Sequence, residues 1–217
     1  MVSWTSVFVP VITALAGIGG ALGSQYISHR FTRRREQEAA EAKREPERLF
    51  IATELIIVLE QFAEGCALVA VDEGKDDEQG YRRTSEESPD ISLSEIQGDW
   101  RVLPGRLMFR VRELPILLIE AKRFISAVNE HDDPPDFDRS FAERQYQYTR
   151  LGLKALFMAL RLRRLVGLPG TRLDTMSWSV NSVLWQVWRA ERKRRTQFLH
   201  QILDTMHETA PDSEGGE

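Results

Sequence analysis

The chain opens with a long run of uncharged residues. Residues 1–28 contain no Asp, Glu, Lys or Arg, and Arg30, Arg33, Arg34 and Arg35 follow directly. A helix rises about 1.5 Å per residue and the hydrocarbon core of a bilayer is about 30 Å thick, so the run is long enough to cross a membrane. It predicts one transmembrane helix in the inner (plasma) membrane, with the N-terminus outside and the four arginines at the inner leaflet. A cleaved signal peptide is the weaker interpretation, because no basic residue precedes the apolar run.

Small residues recur within this run at helical spacing. Gly19 and Gly23 form a GxxxG pair, which lets two membrane helices approach closely. The pair predicts that two copies of the helix associate, although glycine is also common in membrane helices that do not. A dinucleotide-binding loop is excluded, because the glycine spacing is wrong and no strand–helix–strand unit follows.

Beyond the run, apolar residues recur every three or four positions, which is the period of a helix with one buried face. Residues 29–46 lack such a face and are rich in Arg, Glu, Gln and Ala, so they predict a charged, solvated stalk. Residues 47–209 predict an all-α cytoplasmic domain, a bundle of about four helices. The predicted helices of this domain cover residues 47–71, 104–128, 139–166 and 174–208.

Prolines and apolar stretches refine this assignment. Pro46 predicts a break or a fresh helix start, and Pro115 predicts either two short helices or one kinked helix. Between Leu151 and Leu160 the third helix is apolar nearly all round. Such a helix is surrounded by others, so we expect it at the centre of the bundle.

Two segments have no helical period. Residues 72–99 carry ten acidic residues against three basic ones and predict a long acidic loop, with disorder the favoured state. Residues 210–217 predict a disordered tail. No segment has the alternating period of a β-strand.

Composition limits the chemistry. The net charge of −4 is divided between basic and acidic segments, so it neither favours nor excludes an anionic partner. Cys66 is the sole cysteine, which excludes an intrachain disulfide and a cysteine-based zinc site. Its apolar neighbours predict a small buried side chain.

One segment groups residue types that bind metal ions. Four aspartates and His131 lie within residues 131–138, and hard cations favour such oxygen clusters. The spacing does not match a calcium-binding loop, so we prefer a solvated helix connection with Asp138 as the N-cap of the next helix. None of the four histidines follows a Glu by three residues, which excludes the di-iron motif of helical bundles. The sequence therefore predicts no catalytic, cofactor-binding or metal-binding residue.

The last predicted helix combines tryptophans with a basic cluster. Trp178, Trp185 and Trp188 fall on one face and predict core packing, with a partner-binding surface as the alternative. A solvated helix face is the plainest interpretation of the cluster. The candidate alternative is contact with an anionic surface, lipid headgroups ahead of nucleic acid because the domain is expected beside the inner leaflet. The basic residues of the cluster are Arg189, Arg192, Lys193, Arg194 and Arg195.

One stretch carries a resemblance. Residues 132–138, of sequence DDPPDFD, are followed by Phe141, ERQYQY at 143–148 and LGL at 151–153. This stretch of sequence resembles that of a group of uncharacterised bacterial single-pass membrane proteins. Those proteins also pair an uncharged N-terminal helix with a charged stalk and a helical cytoplasmic domain. The resemblance implies a bacterial inner-membrane protein. It implies no activity.

These observations favour a membrane-tethered, non-catalytic interaction module that self-associates and presents its bundle to an unknown cytoplasmic protein or to membrane lipid. An enzyme of unrecognised type is the alternative, and nucleic-acid binding through residues 189–195 is a weaker one. The enzyme would use acidic residues on inward helix faces. The candidates for that role are Glu54, Glu60, Glu64 and Glu120.

Overall fold

The computed structural model describes residues 41–171, residue 173 and residues 179–208, with side chains described up to Gln201. The predicted membrane helix, most of the stalk, Asp174, Trp178 and the tail from residue 209 lie outside the described residues. So do Gly19, Gly23 and the arginines at positions 30, 33, 34 and 35. No helix among the described residues has the length and apolar content needed to cross a bilayer.

The chain divides into two units, Met1–Glu47 and Arg48–Glu217. In the first unit, described residues 41–47 are helical, so the helix break predicted at Pro46 is wrong. The second unit is mostly helical, which confirms the predicted all-α bundle. The described part of the chain contains four α-helices: α1 at residues 41–70, α2 at Gly105–Asn129, α3 at Asp138–Leu165 and α4 at Val180–Glu208.

Helix α3 contacts each of the other helices, as its apolar sequence predicts. Arg163 of α3 pairs with Glu60 of α1, and Gly152 lies against Cys66 of α1 and Leu184 of α4. A Cβ atom at Gly152 would come within 2.8 Å of the Cys66 Cβ atom, so only glycine allows the three helices to meet this closely.

Helix α2 is unbroken from Gly105 to Asn129, with Pro115 inside it. The prediction of two short helices is therefore wrong. Proline removes one backbone hydrogen bond, but Leu114 and Leu118 on either side of it are buried in the core. We attribute the continuity of the helix to this packing.

The acidic segment is folded onto the bundle, so the prediction of disorder is wrong. It contains two antiparallel strands, β1 at Lys75–Asp76 and β2 at Arg82–Arg83, which the sequence analysis did not predict. A short 3-10 helix follows at Trp100–Val102. Ile91 and Trp100 are buried in the same core as the helices.

The residue that caps the N-terminus of α3 is not the predicted one. Phe137 is the N-cap of α3 and Asp138 is the first helical residue, so the assignment of Asp138 as N-cap is wrong. The capping hydrogen bond comes from farther away, since an Asp132 Oδ2 atom accepts the Ser140 N–H at 2.6 Å. Asp138 instead accepts a hydrogen bond from Arg82 at 2.8 Å, which ties the β1–β2 hairpin to α3.

Candidate functional site

A buried ion pair fixes the start of the acidic segment. Arg144 of α3 donates to the Asp72 carboxylate at 2.7 Å and to the Glu86 carbonyl at 2.6 Å, and both charged side chains are more than nine-tenths buried. Three backbone N–H groups also donate to this carboxylate, those of Gly74, Ser85 and Glu86. Burial, the largest influence on the carboxyl, raises its pKa, but the four donors together outweigh it and lower the pKa of Asp72.

Of the acidic residues proposed for an enzyme, one faces inward. Glu54, Glu64 and Glu120 are exposed, so their predicted inward placement is wrong. Glu60 is half-buried, and both its oxygens accept from Arg163, at 2.8 and 2.9 Å. The hydrogen bond with Glu60 raises the pKa of Arg163 and keeps the guanidinium charged. Glu60 therefore serves to join α1 to α3.

Cys66 of α1 is fully buried where α1 meets α3, which confirms its predicted role as a small core residue. Burial raises the pKa of the Cys66 thiol well above its ordinary value, so the thiol stays protonated and unreactive. Among the residues that the structure describes, no group of three or more His, Cys, Asp and Glu side chains is arranged to hold a metal ion.

Trp185 and Trp188 pack against the core, as predicted for them. Their rings meet edge to face with centroids 5.1 Å apart, and Trp185 meets Phe157 of α3 in the same way at 6.1 Å. These contacts hold the first turns of α4 on α3. Neither ring is exposed, so Trp185 and Trp188 do not form the partner-binding surface considered as the alternative.

The basic cluster of α4 divides into two roles. Arg195 donates to the buried Glu143 of α3, and its guanidinium carbon lies 3.9 Å from the Tyr146 ring centroid. This residue fastens α4 to α3 and is not free for a ligand. The exposed members are Arg189 against the Trp185 ring, Arg192 against the Trp188 ring, Arg194 paired with Glu191, and Lys193.

A cleft of about 780 Å³ lies between α3 and the later part of α4. Its apolar wall includes the exposed Phe198 and Leu199, and its charged wall includes Arg194, Arg195 and Glu143. Two carboxylates line the described part of this cleft, and both already form ion pairs within the fold, Glu143 with Arg195 and Asp138 with Arg82.

The outward side of α2 carries the largest exposed apolar residues of that helix. Phe109, Ile116, Ile119 and Phe124 are 61%, 58%, 51% and 51% exposed. The helix buries its opposite side in the core through Val111, Leu114 and Leu118 and others. We call the four exposed residues the α2 surface.

A groove runs along one edge of the α2 surface, between α2 and α3. Two clefts of about 420 and 270 Å³ share Leu117 and Lys154 and together form it. Its floor is apolar, with Leu114 and Met158, and α2 contributes Glu113, Glu120 and Arg110 to its rim. Basic residues of α3 lie along the opposite rim, namely Arg150, Lys154 and Arg161.

Sequence analysis missed the α2 surface. The three- and four-residue period predicted one buried face for the helix at 104–128, and Leu107, Val111, Leu114 and Leu118 form that buried face. The signal that could have revealed the second face is present, because Phe109, Ile116, Ile119 and Phe124 also recur at helical spacing. Helix α2 therefore has apolar residues on both sides, of which one side is buried and the other exposed.

Comparison with known proteins assigns no family. No protein-family model, no curated protein and no solved structure matches the chain.

Proposed function

We propose that the chain is a membrane-tethered, non-catalytic interaction module that docks a protein partner on the α2 surface. One observation carries the proposal: four large apolar side chains, each more than half exposed, lie along a single helix whose other side is fully packed. Exposed apolar patches of this kind are uncommon on monomeric proteins and mark interaction sites.

The free energy available from burying the α2 surface is large enough for binding a protein partner. Full burial of a Phe or Ile side chain contributes about 1.5–3 kcal/mol, so four such residues can support a stable interface. Aromatic residues at the two ends of the patch are good anchors. Charged residues on the same side of α2 lie among the apolar ones, including Arg112, Glu113, Glu120 and Arg123, and they select the partner and its orientation.

The ion pairs of the inward-facing carboxylates favour an interaction module and not an enzyme. The inward-facing carboxylates Asp72, Glu60 and Glu143 are each held by an arginine that joins two parts of the fold. The core between the helices is filled by Leu, Ile and Ala side chains. A catalytic site needs charged side chains that are available to the substrate, whereas these carboxylates and arginines stabilise the bundle by pairing with each other.

The sequence supports tethering. The uncharged run of residues 1–28 with its following arginines predicts an anchor, and tethering raises the local concentration of the domain for partners at the same membrane. The exposed Arg189, Arg192 and Lys193 can add contact with anionic lipid headgroups. Lipid contact is a secondary part of the proposal.

Site-specific photo-cross-linking tests the docking surface. A photoreactive phenylalanine analogue placed at Arg123, beside the α2 surface, is expected to form a discrete protein adduct in native membranes. The double variant Phe109→Gln/Phe124→Gln should lose most of that adduct, because it removes both aromatic anchors.

The matched control changes the same chemistry elsewhere. Phe50 and Ile57 of α1 are exposed to a similar extent, 55% and 47%. The variant Phe50→Gln/Ile57→Gln should keep the adduct formed from position 123. An adduct that survives the α2 double variant, or one lost equally in both variants, would contradict the proposed docking surface.

A further inference from the structure

The charges beside the α2 surface have few partners within the chain. Glu120 and Arg123 are exposed, and within the described part of the chain neither has an ion-pair or hydrogen-bond partner. Arg112 is exposed as well, with its guanidinium carbon 4.8 Å from the Trp100 ring centroid, so the side chain is held at the surface. A helix side on which apolar residues alternate with charges of both signs is suited to a partner that carries the opposite order of charges.

We infer that this partner is a second copy of the chain, with the two α2 helices antiparallel and a two-fold axis passing beside Ile116. The inference rests on the proposed function, since it names the occupant of the same surface. An antiparallel pair centred on one residue places each position opposite the position equally far on the other side.

Charge complementarity selects the antiparallel direction. Arg112 and Glu120 are each four residues from Ile116, so the centred pair places Arg112 of one copy opposite Glu120 of the other, twice. A parallel pair would instead oppose every charge to itself, Arg112 to Arg112 and Glu120 to Glu120. Like charges in such positions are destabilising.

The remaining positions select the register. Seven residues from the centre, Phe109 lies opposite Arg123, a cation–π combination, and three residues from it Ile119 lies opposite Glu113. Centring the pair midway between Ile116 and Ile119 would place Arg112 opposite Arg123. The register centred on Ile116 avoids this repulsion.

The facing residues form one strip of the helix. Positions 109, 112, 113, 116, 119, 120 and 123 follow the three- and four-residue steps of a packing seam. The strip from Phe109 to Arg123 is about 21 Å long at 1.5 Å per residue. Because a two-fold contact uses the same surface on both copies, it closes as a dimer and leaves no surface for a filament.

A charge-swap series on the full-length protein tests the inference. In sedimentation equilibrium in detergent, Arg112→Glu and Glu120→Arg are each expected to weaken dimerisation about tenfold or more, because each creates two like-charge contacts. The double variant Arg112→Glu/Glu120→Arg should restore dimerisation to about the wild-type level, because both contacts regain opposite charges.

Disulfide cross-linking tests the direction separately. Residues on the two-fold axis meet their own copy, so Ile116→Cys should form a covalent dimer under mild oxidation. Phe109→Cys is the matched control and should not, because its copy lies about 21 Å away along the antiparallel pair. Cys66 is buried and does not compete.

Each failure has a distinct meaning. A dimer unaffected by the single charge reversals is held elsewhere, for example through Gly19 and Gly23, and overturns the inference. Equal cross-linking at positions 116 and 109 indicates a parallel or unspecific contact and also overturns it. A monomeric wild type that still gives the photo-adduct from position 123 overturns the second copy as occupant while the proposed docking surface stands.

Discussion

Replacement of Arg144 with methionine is expected to lower the free energy of unfolding by about 3–5 kcal/mol. The variant keeps an unbranched apolar stem but leaves the Asp72 carboxylate, with 1% of its side chain exposed, without its charged partner. It also removes the donor to the Glu86 carbonyl, so the acidic segment loses its main attachment to α3. Urea unfolding of the full-length protein, followed by tryptophan fluorescence, measures the change.

The matched control is Arg164→Met, an exposed arginine of the same helix, for which we expect a change within about 0.5 kcal/mol. The pH dependence gives a second check. Because the folded pKa of Asp72 is lowered, its stabilisation is present above the ordinary carboxyl pKa and lost as the pH falls through the lowered value. The gap between wild type and Arg144→Met should therefore narrow in acid. A gap that stays constant would show that the pair does not cause the difference.

Substitution of Gly152 by alanine is expected to destabilise the fold by about 1–3 kcal/mol, although alanine is the better helix former. The added Cβ atom would come within 2.8 Å of the Cys66 Cβ atom and 3.0 Å of a Leu184 methyl carbon. The Cys66 atom is fixed to its backbone, so α1, α3 or α4 must shift. Urea unfolding of the full-length protein measures this loss as well.

Gly105→Ala is the control for this substitution. Gly105 is the first residue of α2, and an added Cβ atom there meets no atom within 4 Å. We expect Gly105→Ala to be neutral or slightly stabilising. If Gly152→Ala behaved in the same way, the close meeting of the three helices would not be as described.

Local periodicity predicted most of the helical fold. Helices α2 and α3 lie within one residue of their predicted bounds, because the helical spacing of apolar residues stops near Pro104, Pro134 and Gly167. The acidic segment could not be predicted. Its order depends on Asp72 meeting Arg144, a contact between residues far apart in the chain that no local pattern reveals.

Less of the candidate site than of the fold could be predicted from the sequence. The basic cluster of α4 was noted, but only the fold shows that Arg195 is held by Glu143. The α2 surface was missed for a different reason. The sequence predicted which side of α2 faces the core, but the exposure of the opposite side depends on what packs around the helix, and α3 packs only on the first side.

The central claim is that a protein covers the α2 surface at the membrane, and the accessibility of one introduced thiol tests it most directly. In Ile116→Cys the new cysteine is the reactive thiol, because the sole native cysteine, Cys66, is buried with a raised pKa. We predict that maleimide labels position 116 several-fold more slowly in native membranes than in dilute detergent, while Phe50→Cys on α1 labels equally in both. Labelling of position 116 at the same rate in both preparations would contradict the account.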